Sequence, residues 1–233
     1  MKTNCRAHYL FVVLVQWSVL VVMAAQKRLS LIATPLSHYG RKVRILLDSY
    51  DLPYSFEDVG NIALISKTPQ SIGNNPLMKV PVLKHGEDWI IESDHISSYI
   101  VNNFDKNDKY KVNSMNLSDM NIKAILNGTM TEEVKVIVAR RQDVPTDDYA
   151  YFGKAQETVH NGLCWLESQH KSFEITNPTY KEFHLVCCWD HLAYYDFVPN
   201  MSERFPRLQE IVARLSESDV IARTAPNVLK PKS

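Results

Sequence analysis

The chain has 233 residues, with 26 basic and 26 acidic side chains and a formal net charge of zero. That length suits one large domain or two small ones with a real core, and the even charge balance argues against nucleic acid as the main partner. Hydrophobic residues make up 45% of the chain and glycines number only 7, which fits a helix-rich globular protein rather than a disordered or fibrous one.

The first element is an apolar run, Tyr9 to Ala25, preceded by Lys2 and Arg6 and ending in Ala24-Ala25. It has the form of a secretory signal and is short for a membrane-spanning helix. Three readings stand: a cleaved signal, an uncleaved anchor, or an untranslated extension with the true start at Met23. The last is favoured, because a strand begins a few residues after Ala25 and nothing later reads as an extracellular disulfide framework. The expected location is therefore cytoplasmic, and membrane contact or export follows only if residues 9–25 are retained.

Leu29 to Ala33 reads as a short apolar strand, and Thr34-Pro35-Leu36-Ser37 as a turn. Val43, Leu46, Leu47 and Tyr50 then fall at helical spacing over 37–50, with Ser37 or a near neighbour as N-cap. Tyr54 to Val59 reads as a second strand, and 60–75 as irregular or weakly helical. The segment Asn75 to Ser93 holds a proline inside an apolar run, Val80-Pro81-Val82-Leu83. A proline gives no N–H to a ladder, so it begins a strand or lies on an edge, and the residue before it is held extended. Gly86 turns the chain, Trp89-Ile90-Ile91 returns, and Glu92-Ser93 opens a helix running to about Phe104. A strand edge with free backbone groups beside a helix N-terminus suits a peptide-like anion; an ordinary hairpin with an edge proline explains the same residues without a ligand.

Residues 106–116 are polar and aperiodic, the best candidate linker. Beyond them everything reads as helix: 117–141, bent near Gly128; 147–170; an apolar helix from Phe183 to Phe197 opened by a capping box of Thr179 and Glu182; and a last helix from Phe205-Pro206. The order β-α-β, β-β-α, then helices gives a small α/β domain over 26–105 and an all-helical domain over 117–226, with a polar tail at 227–233. The cysteines, Cys5, Cys164, Cys187 and Cys188, lack metal-ligand spacing, and free buried thiols in a reducing compartment are expected.

This arrangement resembles the cytosolic glutathione transferase superfamily, in its bacterial-type, serine-activated form. Residues 34–44, Thr-Pro-Leu-Ser-His-Tyr-Gly-Arg-Lys-Val-Arg, look like the first-strand-to-helix turn of members that read Ser-Pro-x-Ser-Pro, an aromatic, then Arg-Lys-Val-Arg. Residues 75–83 look like the segment Asn-Pro-x-x-x-Val-Pro-x-Leu. Glu92-Ser93 matches a Glu/Gln-Ser pair, and Phe205 to Leu208 with Thr224 to Pro226 matches the last helix and tail. The resemblance spans about 29–226 and implies a thioredoxin-like N-terminal domain, a helical C-terminal domain, a homodimer, and glutathione as co-substrate without a metal.

It also implies a cis Val80–Pro81 bond that holds the Val80 backbone out to the cysteinyl part of glutathione. Glu92 would accept from the γ-glutamyl ammonium, and Ser93 with the helix N-terminus would hold the γ-glutamyl carboxylate. Lys79 is a candidate partner of the glycyl carboxylate. Ser37 would donate to the thiolate as its activator. Taken singly, Ser93 is explained as an N-cap, Glu92 as a first-turn acid, and Lys79 as a surface lysine. His38 stands where a proline often follows the serine; Tyr39 is a second hydroxyl near the sulfur; and Arg41 reads as a solvated helix charge or an electrostatic aid. Arg140 and Arg141 either favour an anionic electrophile or form a solvated helix end. With no cysteine in the turn, the expected activity is conjugation of the glutathione thiol to a small electrophile, with peroxidase action as a side activity. The alternative is a non-catalytic interaction or regulatory protein of the same fold.

Overall fold

A computed structural model describes residues 28–62 and 68–226. The apolar run at 9–25, the tail at 227–233 and Cys5 lie outside these. Among the described residues no helix is long and apolar enough to cross a membrane.

Four strands, β1 (Leu29–Ala33), β2 (Tyr54–Asp58), β3 (Val82–His85) and β4 (Asp88–Ile91), form one sheet in the order β2-β1-β3-β4. β1 and β2 are parallel, joined through helix α1 (His38–Ser49), while β1/β3 and β3/β4 are antiparallel. Alternation explains the two faces. Leu29, Leu31 and Leu83 join the main core. Ile32 and Val82 point the other way and are covered by Ile72, which ends a short 3-10 turn at Pro69–Ile72. Gly73 follows with φ 58°, and a Cβ there would meet Ile32 Cδ1 at 2.7 Å, so only glycine lets this turn close on the sheet. This four-stranded mixed sheet with α1 and α2 (Ser93–Phe104) is the thioredoxin-like arrangement expected.

The rest is helical: α3 (Leu117–Arg140), α4 (Ala150–Ser168), α5 (Tyr180–Tyr194), α6 (Met201–Arg204), α7 (Pro206–Leu215) and α8 (Asp219–Ala222). α3 is continuous through Gly128. α4 starts three residues later than the periodicity implies, because Thr146–Asp148 form a separate 3-10 turn. α5 is the buried spine: Leu185, Val186, Cys187, Cys188 and Leu192 are at most 1% exposed. Glu182 reaches back from its first turn, accepting the Thr179 N–H at 2.7 Å. α1 packs on α5, and α3 packs on both α4 and α5, so one core runs from the sheet into the helices. Cys187 and Cys188 are free and buried, and burial pushes the Cys187 thiol up to about 12. Cys164 departs from the expectation of buried thiols: it is exposed on α4.

Candidate functional site

The sheet register brings the residues singled out in the sequence to one end of the sheet. Ile32 pairs with Val82, and Val82 with Ile91. One step further along these antiparallel ladders, the end of β1 meets Pro81, and Pro81 meets Glu92. The 34–37 turn, Val80 and Glu92-Ser93 therefore share that end, beside the N-termini of α1 and α2.

Ser37 is the N-cap of α1, with extended backbone (φ −65°, ψ 112°), and its Oγ accepts the Gly40 N–H at 3.1 Å. That bond uses an oxygen lone pair and leaves the hydroxyl proton to donate outward. Gly40 permits the close approach: a Cβ there would meet the Ala33 Cβ at 2.9 Å. Tyr39, the other hydroxyl in the turn, is committed elsewhere. Its oxygen lies 2.9 Å from Thr131 Oγ1, and Thr131 spends its own proton on the Asn127 carbonyl at 2.8 Å, so Tyr39 is the donor. Burial pushes the Tyr39 hydroxyl up to about 12.

The Val80–Pro81 peptide bond is cis. The loop leading to it is closed by one side chain. Asn75 is 2% exposed, donates to the Lys79 carbonyl at 2.7 Å and accepts the Leu77 N–H at 3.0 Å. Asn75 was visible in the sequence only as part of a motif; the structure gives it the task of setting the Val80 backbone. Lys79 itself is exposed on this loop.

Glu92 occupies the cap position of α2 but makes no side-chain capping bond, and its backbone is at φ 68°, ψ 120°. A non-glycine residue there carries strain of roughly 1–3 kcal/mol, which concentrates at functional sites. Ser93 is the first helical residue, 5% exposed. The reading of Ser93 as N-cap and Glu92 as first-turn acid is thus not what the backbone adopts. Glu92 remains exposed, with its side chain outside the helix hydrogen bonding.

Behind this end lies a polar network that sequence reasoning missed. Lys42 is fully buried; its Nζ donates to Asp94 Oδ1 at 2.7 Å and to Asn127 Oδ1 at 3.2 Å. Asn127 returns a bond to Asp94 Oδ2 at 2.7 Å, and Tyr180 donates to Asp94 Oδ1 at 2.9 Å. Burial alone would raise the Asp94 carboxyl, but Lys42 and these donors hold it well below the usual carboxylate range. Arg41 is not a solvated charge. It is 2% exposed, pairs with Asp190 at 2.7 Å and donates to Thr224 at 3.1 Å, tying α1 to α5 and to the stretch after α8. Arg140 is held at its helix end by Thr146 and Gln156. His38 is buried against His191, ring centroids 4.0 Å apart. The only sequence signal for it was the missing proline. A cavity of about 490 Å³ between Tyr50, Phe104 and Lys109 lies at the opposite ends of α1 and α2, away from these residues.

Residues 31–108 match the family described as glutathione S-transferase, N-terminal domain. No curated protein sequence matches the chain significantly. Among solved structures, a glutathione transferase family member from Pseudomonas fluorescens Pf-5 with bound glutathione superposes with a TM-score of 0.75 at 18% identity, over 85% of this chain and 98% of that one. A glutathione S-transferase from Methylobacterium radiotolerans in complex with glutathione sulfonate gives 0.72 at 19%, over 85% and 95%. A glutathione transferase from Phanerochaete chrysosporium with oxidized glutathione gives 0.71 at 20%, over 86% and 96%.

Proposed function

The protein has the glutathione S-transferase fold, and from that premise we propose that it binds glutathione at the Ser37–Val80–Ser93 end of the sheet and transfers its thiol to a small electrophile. The observation that carries this reading is the register that gathers the Ser37 turn, Val80 and Glu92-Ser93 around two helix N-termini.

Each group on glutathione has a counterpart in this reading. The Val80 N–H and C=O pair with the cysteinyl backbone as an added strand. Glu92 accepts from the γ-glutamyl ammonium. Ser93 and the free N–H groups of the first turn of α2 hold the γ-glutamyl carboxylate, and Lys79 meets the glycyl carboxylate. A free thiol titrates near ~8.5, and lowering it by about two units takes roughly 2.7 kcal/mol of preferential stabilisation of the thiolate. Ser37 contributes by donating its remaining proton to the sulfur at the positive end of α1. The commitment of Tyr39 to Thr131 supports Ser37 as that donor. The thiolate then attacks an electrophile held between the sheet end and α3, forming the carbon–sulfur bond as the leaving group departs. We also propose a homodimer, with exposed Leu77 and Met78 on the loop before Val80 as candidate contact residues; light scattering on the eluting peak checks it.

The test is retention on glutathione-agarose followed by an aryl-halide conjugation assay. Retention with turnover is expected. Retention without turnover favours the non-catalytic alternative, and no retention removes glutathione from the site. Ser37→Ala is expected to lower kcat about 100-fold, the scale of losing one donor to a developing anion, while KM for glutathione changes only a few-fold. Equal losses in both, or none, would take Ser37 out of the activating role.

A further inference from the structure

We propose that His38, Glu133 and His191 form a binding site for one divalent transition-metal ion, zinc(II) by donor chemistry, which ties α1 to α3 and α5. The three come from separate helices and are 3%, 0% and 7% exposed. One ligand atom from each lies within 4.8 Å of the others. The set is built from imidazoles and a carboxylate far apart in sequence, and no cysteine enters it.

The second observation is what these side chains lack. Both ring nitrogens of His38 and Oε2 of Glu133 are buried without a hydrogen-bond partner. The one bond in the group joins His191 Nδ1 to Glu133 Oε1 at 2.6 Å. A buried polar atom left without a partner loses its hydration and gains nothing in return, so a native interior seldom leaves several together. A dication would accept a lone pair from Glu133 Oε2 and from one His38 ring nitrogen, and Lys42 nearby is already matched by Asp94.

Two imidazoles and one carboxylate are a zinc ligand set that leaves a fourth position open. Tetrahedral zinc with bonds of about 2.0–2.2 Å sets its ligand atoms about 3.4 Å apart, a spacing inside the 4.8 Å span of the three, and the 2.6 Å contact between His191 and Glu133 opens to admit the ion. The ligating forms are neutral imidazole and carboxylate, so affinity falls as the pH drops and they take up protons.

The full chain, stripped with a chelator and freed of glutathione (whose thiol binds zinc), is titrated with zinc chloride by calorimetry and with cobalt(II) by visible absorption. Its melting temperature is then read with and without zinc. One ion per chain, cobalt d–d bands and a higher melting temperature with zinc are expected. His38→Phe and Glu133→Gln are expected to lose all three, although both keep the half-buried His160 and the exposed Cys164. His38→Phe without zinc is expected to melt no lower than the parent, which separates lost ligation from lost folding; Glu133→Gln, nearly isosteric, repeats the test should the larger ring fail to pack. No binding by the parent protein, or binding retained by either variant, overturns the site.

Discussion

His38 and Lys42 lie one turn apart on the same face of α1, and both carry polar groups across to the helical part, but they solve the problem of burial differently. Around Lys42 the bonds close: ammonium to Asp94 and Asn127, Asn127 back to Asp94, Tyr180 to Asp94. None of these side chains leaves a buried nitrogen or oxygen without a partner. Four residues away, His38 leaves two nitrogens and Glu133 an oxygen with none. A saturated network explains itself as an anchor between sheet and helices. An unsaturated one of the same origin is what the proposed metal ion would complete.

The contrast is broken most directly at Asp94. Asp94→Asn leaves the fully buried Lys42 without its counter-charge, and we expect a loss of about 3 kcal/mol in denaturant unfolding, the lower end for a severed buried pair because Asp94 itself is 42% exposed. A loss under about 0.5 kcal/mol would mean that the network anchors nothing. The next effect is on pH dependence. Burial, with the neighbouring cations, lowers the folded values of His38 and His184 well below the ordinary imidazole value. A depressed folded value means that this stability is present above about pH 6.5 and is lost as the pH falls below it, because the unfolded chain takes up the protons first. Melting temperature against pH should therefore decline below that point, and His38→Phe should flatten part of the decline; an unchanged slope would mean that His38 is not held neutral. Tyr180→Phe removes one donor from the closed network, for an expected cost of about 1 kcal/mol in the same unfolding experiment. The smallest effect belongs to the open cluster: with no metal added, His38→Phe should leave stability unchanged or raise it by less than about 1 kcal/mol, since it removes two unpaired nitrogens and no bond. A large loss there would erase the difference between the two clusters.

What the sequence made legible was local. The apolar run Leu29–Ala33, the strand at Tyr54–Asp58, the turn at Gly86 and the capping box at Thr179 are all set by neighbours a few residues away, and the sheet and helices lie close to where these patterns put them. The segment Asn75–Ser93 was legible as a place because a proline inside an apolar run is uncommon. The partners of Arg41, Lys42 and His38 were not legible. Arg41 meets Asp190, 149 residues further on, and Glu133 meets His191 across 58. A charge on a helix looks the same in sequence whether it faces solvent or a distant carboxylate; only the packing of α1 on α5 decides. The cap of α2 follows the same rule: residue type taken singly suits Ser93, while the return of β4 puts Glu92 in that place.

That backbone has a practical consequence for anyone trying to make the protein hardier. Residue 92 is the obvious target, since glycine accepts positive φ at no cost and Glu92→Gly should relieve on the order of 1 kcal/mol of local strain. If the ammonium of glutathione does dock there, the hardier protein would be the poorer binder. Thermal selection and affinity selection would then pull this one codon in opposite directions, and a library screened only for heat resistance would quietly discard the site.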